Sequence, residues 1–438
     1  MKLNLILRFF VISMILFSFT LRNSDAYEKP KEVTIADQGP YAPPIEELVS
    51  EALEKSPAIN AVKDRFAASK ELITPASALP DPMLEFTLEE NVSSLSSPNF
   101  IKGEMMLKQE LPFPGKRSTL GKSAGAESEM EFANLVYTNR QITKDVRTIY
   151  AELYSIDSEL DALKLAQELL KMLEATAAVR YSTGEGDQES QIKAQLELSR
   201  LLEKMTDITA KRKEMSAGLN RLLGRSGNHL IGKVVSLPVV SLTQEQLEKP
   251  EQLAFTNSPS VLLRTYAVKA AKYRVESADL DFWPDFFVGA GIGYDNNYEP
   301  MGLLSFGITL PLWQNVKQKP LKRAATLKVD ESAKLLEEAK LAASSEITNL
   351  IARWNRDQKQ IVIYKDAIIP QTSAALNSAR ASYLSGRADF SVVIEDYNLW
   401  LDARTQLARR EADRYVTWAG FDALTAPLPS NDKQGQKP

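Results

Sequence analysis

Apolar and polar positions along the chain switch between two rhythms, and they do so twice. From about Ile45 to about Leu72 the apolar residues recur at helical spacing, ending just before Pro75. After Leu79-Pro80-Asp81-Pro82 the period drops to two. Leu84, Phe86 and Leu88 alternate with Glu85, Thr87 and Glu89, which predicts a strand over 83–91 with one apolar face and one polar face. A polar loop follows, and a second strand is predicted over 103–111, with Met105, Leu107 and Leu111 opposite Lys108 and Glu110. The prolines of LPFPGKR at 111–117 stop it, because they cannot donate to a ladder. Later in the chain Phe286, Val288, Ala290, Ile292 and Tyr294 alternate with Phe287, Gly289, Gly291 and Gly293, a strand over 286–295. Leu304, Phe306, Ile308 and Leu310 alternate with Leu303, Ser305, Gly307 and Thr309 over 302–310, before Pro311. Each strand has about the 9–11 residues that a tilted strand needs to cross a bilayer.

Long helices follow each strand pair. Between about Arg117 and Tyr181 nothing breaks a helix strongly after Gly125, which allows roughly 100 Å at 1.5 Å per residue. Leu135, Ile142, Ile149, Ile156, Leu163 and Leu170 recur every seven residues, a heptad seam, and Ile347, Trp354, Ile361 and Ile368 keep the same step. Each long helix ends at a Tyr-x-x-Gly turn, Tyr181 to Gly184 and Tyr383 to Gly386, and a partner helix returns from it. The two tyrosines are 202 positions apart, as are Ser56-Pro57 and Ser258-Pro259. The chain therefore reads as internally duplicated: a first repeat over 45–230, a connector over 231–256 and a second repeat over 257–426. Pro370 breaks the symmetry. It lies inside the second long helix and should disturb it locally, a candidate helix pivot.

The ends and the composition narrow the class. Lys2 and Arg8 precede an apolar run from Phe9 to Leu21 that ends in small residues, an export signal over 1–26 too short for a stable span. Residues 27–44 read as an irregular leader and 427–438 as a flexible tail. Removing Lys2, Arg8, Arg22 and Asp25 with the signal takes the net charge from -4 to -6, which gives no case for nucleic acid. There is no cysteine, hence no disulfide, no thiolate metal site and no lipid-modified cysteine. No mature run is long and apolar enough for a transmembrane helix, so any membrane insertion must use strands.

Little catalytic chemistry is present. His229, the one histidine, sits in a Gly-Asn-His-Leu connector and reads as a surface loop residue. Gly289, Gly291 and Gly293 lie on one strand face and do not fit a nucleotide-binding spacing; they suit a crowded or open lumen. Met105 and Met106 point to opposite strand faces, and the pairs Glu89-Glu90 and Glu395-Asp396 diverge in direction, so neither makes a metal or acid/base site. No enzyme, cofactor or metal is expected. From these residues alone, two readings stand: a membrane conduit, or an exported coiled-coil tether with a small sheet.

The segments ALPDPMLEF at 78–86, ELPFPGKR at 110–117 and AQLELSRL at 194–201, with the two Tyr-x-x-Gly turns, make the chain resemble the TolC family of bacterial outer-membrane efflux channels from about Ile45 to Leu424. The first two segments most resemble the branch serving heavy-metal and cation efflux. The resemblance implies an α plus membrane β fold. Three copies, a homotrimer, would each give four strands to one twelve-stranded transmembrane β-barrel in outer-membrane lipid, continued by a long periplasmic α-helical barrel. It implies a passive conduit of a tripartite efflux system, working with a periplasmic adaptor (membrane fusion protein) and an inner-membrane pump; a type I protein secretion conduit is the variant within this class. Tyr181, Gly184, Tyr383, Gly386 and Arg387 would then be adaptor-contact tips. Asp389, Glu395 and Asp396 would be candidates for a periplasmic aperture, although Val392 stands where relatives carry another acid. Nothing in the sequence specifies a substrate.

Overall fold

Ser-Pro pairs begin the principal helices of both halves in one way. Ser56 (φ -61°, ψ 121°) and Ser258 (φ -65°, ψ 122°) are held extended by the proline that follows, and Pro57 and Pro259 take the first helical position, where no amide donor is needed. The structure, a computed structural model, describes residues 41–91, 99–294 and 299–429. The expected export signal, the leader up to residue 40, the strand-connecting loop segments 92–98 and 295–298 and the tail from 430 lie outside the described residues.

The helix expected from Ile45 to Leu72 is divided at Ser56 into α1 (Ile45–Lys55) and α2 (Pro57–Glu71), with a short α3 (Ile73–Ser77) after it. Then come β1 (Met83–Asn91), β2 (Asn99–Leu111), α4 (Lys116–Ser182) and α5 (Gln188–Leu222). At 67 residues α4 runs about 100 Å. The connector is not wholly irregular: it holds α6 (Gln244–Glu248), started by a Thr243/Gln246 capping box, and α7 (Pro250–Asn257). The second half continues with α8 (Pro259–Leu280), β3 (Asp285–Tyr294), β4 (Pro300–Thr309) and α9 (Gln318–Ile363). A π turn over Tyr364–Ile368 joins α9 to α10 (Ile369–Leu384), and α11 (Phe390–Thr425) returns. No helix among the described residues is long and apolar enough to cross a membrane.

The four strands form one antiparallel sheet in the order β1-β2-β3-β4. Its register aligns the apolar faces. Leu84 pairs with Leu107, Leu107 with Ala290 and Ala290 with Leu304; one row along, Phe86 pairs with Met105 and Met105 with Ile292. The heptad seams are also buried where the spacing predicts. Leu135, Val146 and Leu153 of α4 join Ile45, Leu48 and Ile59 in one core, while Leu163 and Leu170 join Leu201, Tyr383, Phe390 and Trp400 in another nearer the helix tips.

Two polar clamps hold the halves to α4. Arg140 donates to four carbonyls at the ends of α7 and α11, those of Asn257 (2.7 Å), Ala423 (3.3 Å), Ala426 (2.6 Å) and Pro427 (3.0 Å). These are helix-end acceptors that would otherwise lack donors, and they attract the cation even though burial pulls the Arg140 pKa down. Buried Asp157 accepts from Arg212 Nε at 2.5 Å and from the Val234 amide at 2.8 Å, fixing the connector to the α4–α5 pair.

Candidate functional site: helix tips, acidic stripe and sheet face

Both tips close by the same hydrogen bonds, and the glycines explain why. Gly184 (φ 78°) and Gly386 (φ 73°) adopt left-handed conformations that side-chain-bearing residues rarely take. Gly184 donates to Tyr181 O and Glu185 to Arg180 O; Gly386 donates to Tyr383 O and Arg387 to Ser382 O, all at 2.9–3.1 Å. This is the Schellman arrangement, in which a glycine turn satisfies the last carbonyls of a helix. Each returning helix then starts at an aspartate. The Asp187 side chain accepts from the Ser190 amide at 2.8 Å, and this hydrogen bonding holds its carboxyl below the usual range. Asp389 occupies the same cap position without a side-chain cap bond, and it is exposed.

The tips are joined by a residue that sequence spacing does not single out. Arg180 lies over the Tyr383 ring, 4.8 Å from its centroid, donates to the Tyr383 carbonyl and also donates to Glu185 O at 3.0 Å. A Cβ on Gly386 would lie 3.6 Å from Arg180 Nη2. Lys193 adds a second link, donating to Ser391 Oγ at 3.1 Å. The two tyrosines consequently differ: Tyr383 is buried against Phe390, with ring centroids 5.4 Å apart, whereas Tyr181 is exposed. Arg387 is exposed, its Nε donating to Ser385 Oγ at 3.0 Å.

Along α11 the candidate aperture acids separate. Val392, Glu395, Leu399 and Asp402 are exposed and share one helical stripe, while Asp396 is half-buried beside the covered positions Val393, Tyr397 and Trp400. Asp389 lies at the helix start, two turns from Glu395. Asp402 is an exposed carboxylate of the Glu395 stripe that the sequence reading did not select; its seven-residue spacing from Glu395 was the available signal. Pro370 stands directly after the π turn, where the Ile369 amide reaches back five residues to Tyr364 O. The widened turn gives the chain one extra residue where the proline offers no donor.

At the opposite end the sheet is two-faced. Leu84, Phe86, Leu88, Leu107, Leu304 and Phe306 are more than half exposed on one face. The other face carries the Glu85–Lys108 ion pair and Ser305. There the glycines are crowded: a Cβ on Gly307 would meet the Phe287 ring, and one on Gly291 the Met105 carbonyl. β1 and β4 each leave one edge unpaired within the chain.

Comparison with known proteins gives the same architecture. No curated protein matches the sequence. Residues 252–426 match the family described as outer membrane efflux protein. In fold, the chain is similar to the outer membrane protein VceC of Vibrio cholerae (TM-score 0.76, 18% identity, covering 88% of this chain and 97% of that one). It is similar to CusC (TM-score 0.78, 14% identity, 90% and 96%) and to the open state of the MtrE outer membrane channel of Neisseria gonorrhoeae (TM-score 0.71, 16% identity, 88% and 89%). Residues 252–426 thus match the outer membrane efflux protein family, and nearly the whole length shares the fold of VceC and CusC.

Proposed function

We propose that this chain is the outer-membrane channel of a tripartite efflux system and conducts substrate passively from a periplasmic adaptor and inner-membrane pump to the exterior. The observation that carries this reading is the sheet. Four strands of membrane length align Leu84, Phe86, Leu88, Leu107, Leu304 and Phe306 on one face, and no described residue covers that face. A soluble tether gains nothing from exposing Phe86 and Phe306, at 66% and 77%, whereas lipid covers such a face and a closed ring of strands removes both open edges. Three copies would supply twelve strands, with α4, α5, α9, α10 and α11 forming the helical barrel below. The common Ser-Pro geometry and the matching tip hydrogen bonds support reading the halves as duplicated units.

In this reading the tips are the adaptor-facing end. Tyr181, Gly184, Gly386 and Arg387 offer the accessible surface, and Tyr383 acts from beneath by seating Arg180. Glu395, with Asp402 on its stripe, gives a threefold ring of carboxylates that favours cations and narrows the closed pore; Asp389 is set at the tip and Asp396 flanks the ring.

The first test is the light-scattering mass of protein extracted from outer membrane in mild detergent, corrected for bound detergent. Three chain masses are expected, and a soluble monomer would overturn the proposal. In planar bilayers, the trimer carrying Glu395→Gln should lose cation preference and wild-type block by divalent cations. Unchanged selectivity would remove Glu395 from the pore.

A further inference from the structure

The chain leaving β4 is built unlike the chain leaving β2. After β2, both cations of the Pro-Gly-Lys-Arg run are used internally: Lys116 is bound by Asp285 at 2.8 Å and lies 3.6 Å from Asp281, and Arg117 Nε donates to Ser77 O at 2.9 Å. After β4, Leu310, Leu312, Trp313 and Val316 are all more than half exposed, Trp313 at 73%. They are held out by an ordered turn, in which Lys317 N donates to Trp313 O at 2.9 Å and Lys319 N to Gln314 O at 2.8 Å. Residues 310–329 then carry Lys317, Lys319, Lys322, Arg323 and Lys328 with no acid, in a chain of net charge -4. Lys322 pairs with Asp279 and Lys319 donates to neutral Asn315, while Lys317 and Arg323 have no ion pair among the described residues.

Position gives this segment its meaning. It continues the exposed apolar face of β4, at the same end of the sheet as Trp283, which stacks on Phe113 with centroids 5.1 Å apart. Lys319, Lys322 and Arg323 follow within the first two turns of α9, on one side of the helix and about 10 Å or less along its axis from the apolar turn. Apolar side chains, then tryptophan, then unneutralised cations is the order of a bilayer crossed outward from its acyl region: hydrocarbon, glycerol interface, phosphate. Lysine and arginine at that depth attract anionic headgroups.

We propose that Trp313, Val316, Lys317, Lys319 and Arg323 form a binding site for anionic glycerophospholipid in the leaflet from which the helices project. Trp313 and Val316 contact the glycerol and upper acyl region, and the three cations take the phosphate. This rests on the barrel reading above, and it adds a lipid class and the residues that select it. Zwitterionic phospholipid brings no net negative charge, so the site discriminates by charge.

The experiment uses full-length protein reconstituted in vesicles of phosphatidylethanolamine with or without phosphatidylglycerol, followed by native mass spectrometry of the extracted particle. Wild type should retain phosphatidylglycerol in preference to phosphatidylethanolamine. Lys317→Gln/Lys319→Gln/Arg323→Gln, which leaves the Lys322–Asp279 pair intact, should lower that preference by about tenfold or more while keeping the oligomeric mass. An unchanged preference would overturn the site, as would displacement of the lipid by inorganic phosphate alone, which would make it a simple anion site. If Trp313→Ala lowers the oligomeric mass and leaves lipid retention unchanged, the surface belongs to a second copy of the chain and the lipid site is wrong. Wild type that fails to enter either vesicle would instead overturn the barrel reading itself.

Discussion

Asp357 is fully buried on α9, and only one of its carboxylate oxygens has a donor, from the Arg356 guanidinium at 2.8 Å. Burial is the largest influence on it and pushes its carboxyl above the usual aspartate range; Asp413 adds to this, while Arg356 and Arg410 oppose it. The folded state therefore holds the proton more tightly than the unfolded chain does. Its contribution to stability is complete below the ordinary pKa of about 4 and is lost as pH rises through the raised folded value. Asp357→Asn should raise the melting temperature at neutral pH, leave it nearly unchanged in acid and flatten the profile between. A lower melting temperature at pH 7 would mean that the Arg356 pair outweighs burial. Residues of this kind were not legible in the sequence. Neither Asp357 nor Arg180 differs locally from solvated helix-face charges, and the partners that define Arg180 and Arg140 lie across the fold, at Tyr383 and beyond Asn257. What could be read were groups whose chemistry is local: glycines forced to positive φ, and Ser-Pro pairs at helix starts.

The elements themselves were largely legible because the two periods differ so clearly. Leu84, Phe86 and Leu88 could form only a two-faced strand, and the seven-residue seam through Leu163 and Leu170 could be buried only by another helix. The short α6 and α7 escaped, although Thr243 and Gln246 have capping-box spacing, since five to eight residues hold too little periodicity to register. Pro370 was legible as a fault but not as a π turn, because a missing donor does not say how the helix will absorb it. The structure resolves the fault by a five-residue hydrogen bond at Ile369. Pro370→Ala restores an amide that can reach the Asp366 carbonyl, so the segment should close as ordinary α-helix. Slower amide exchange over 364–372 is the expected outcome, together with less frequent opening in bilayers if this turn is the pivot of the second helical pair. Exchange identical to wild type would show that packing, not proline, sets the turn.

At the level of the whole molecule, the protomer is unfinished at both ends: its sheet has two open edges, and its tip helices carry an uncovered stripe at Val392, Glu395, Leu399 and Asp402. If the proposed trimer completes it, assembly from copies of one chain has a genetic consequence. A subunit with Phe306→Pro would carry a proline in β4, the strand whose open edge a neighbour's β1 would close, and should pair poorly there. Such a subunit can still offer its own intact β1 to normal neighbours, and so can enter rings and spoil them. With equal amounts of normal and altered chain and random mixing, only about one ring in eight contains three normal copies. Co-expression should therefore reduce export of a toxic substrate far below the half that simple dilution predicts, and plating cells on graded doses of that substrate would measure it. A loss of only half would mean that altered chains are rejected before assembly. In such a trimer the open edges of β1 and β4 would make the gene vulnerable to its own alleles: one defective copy could be worse than none.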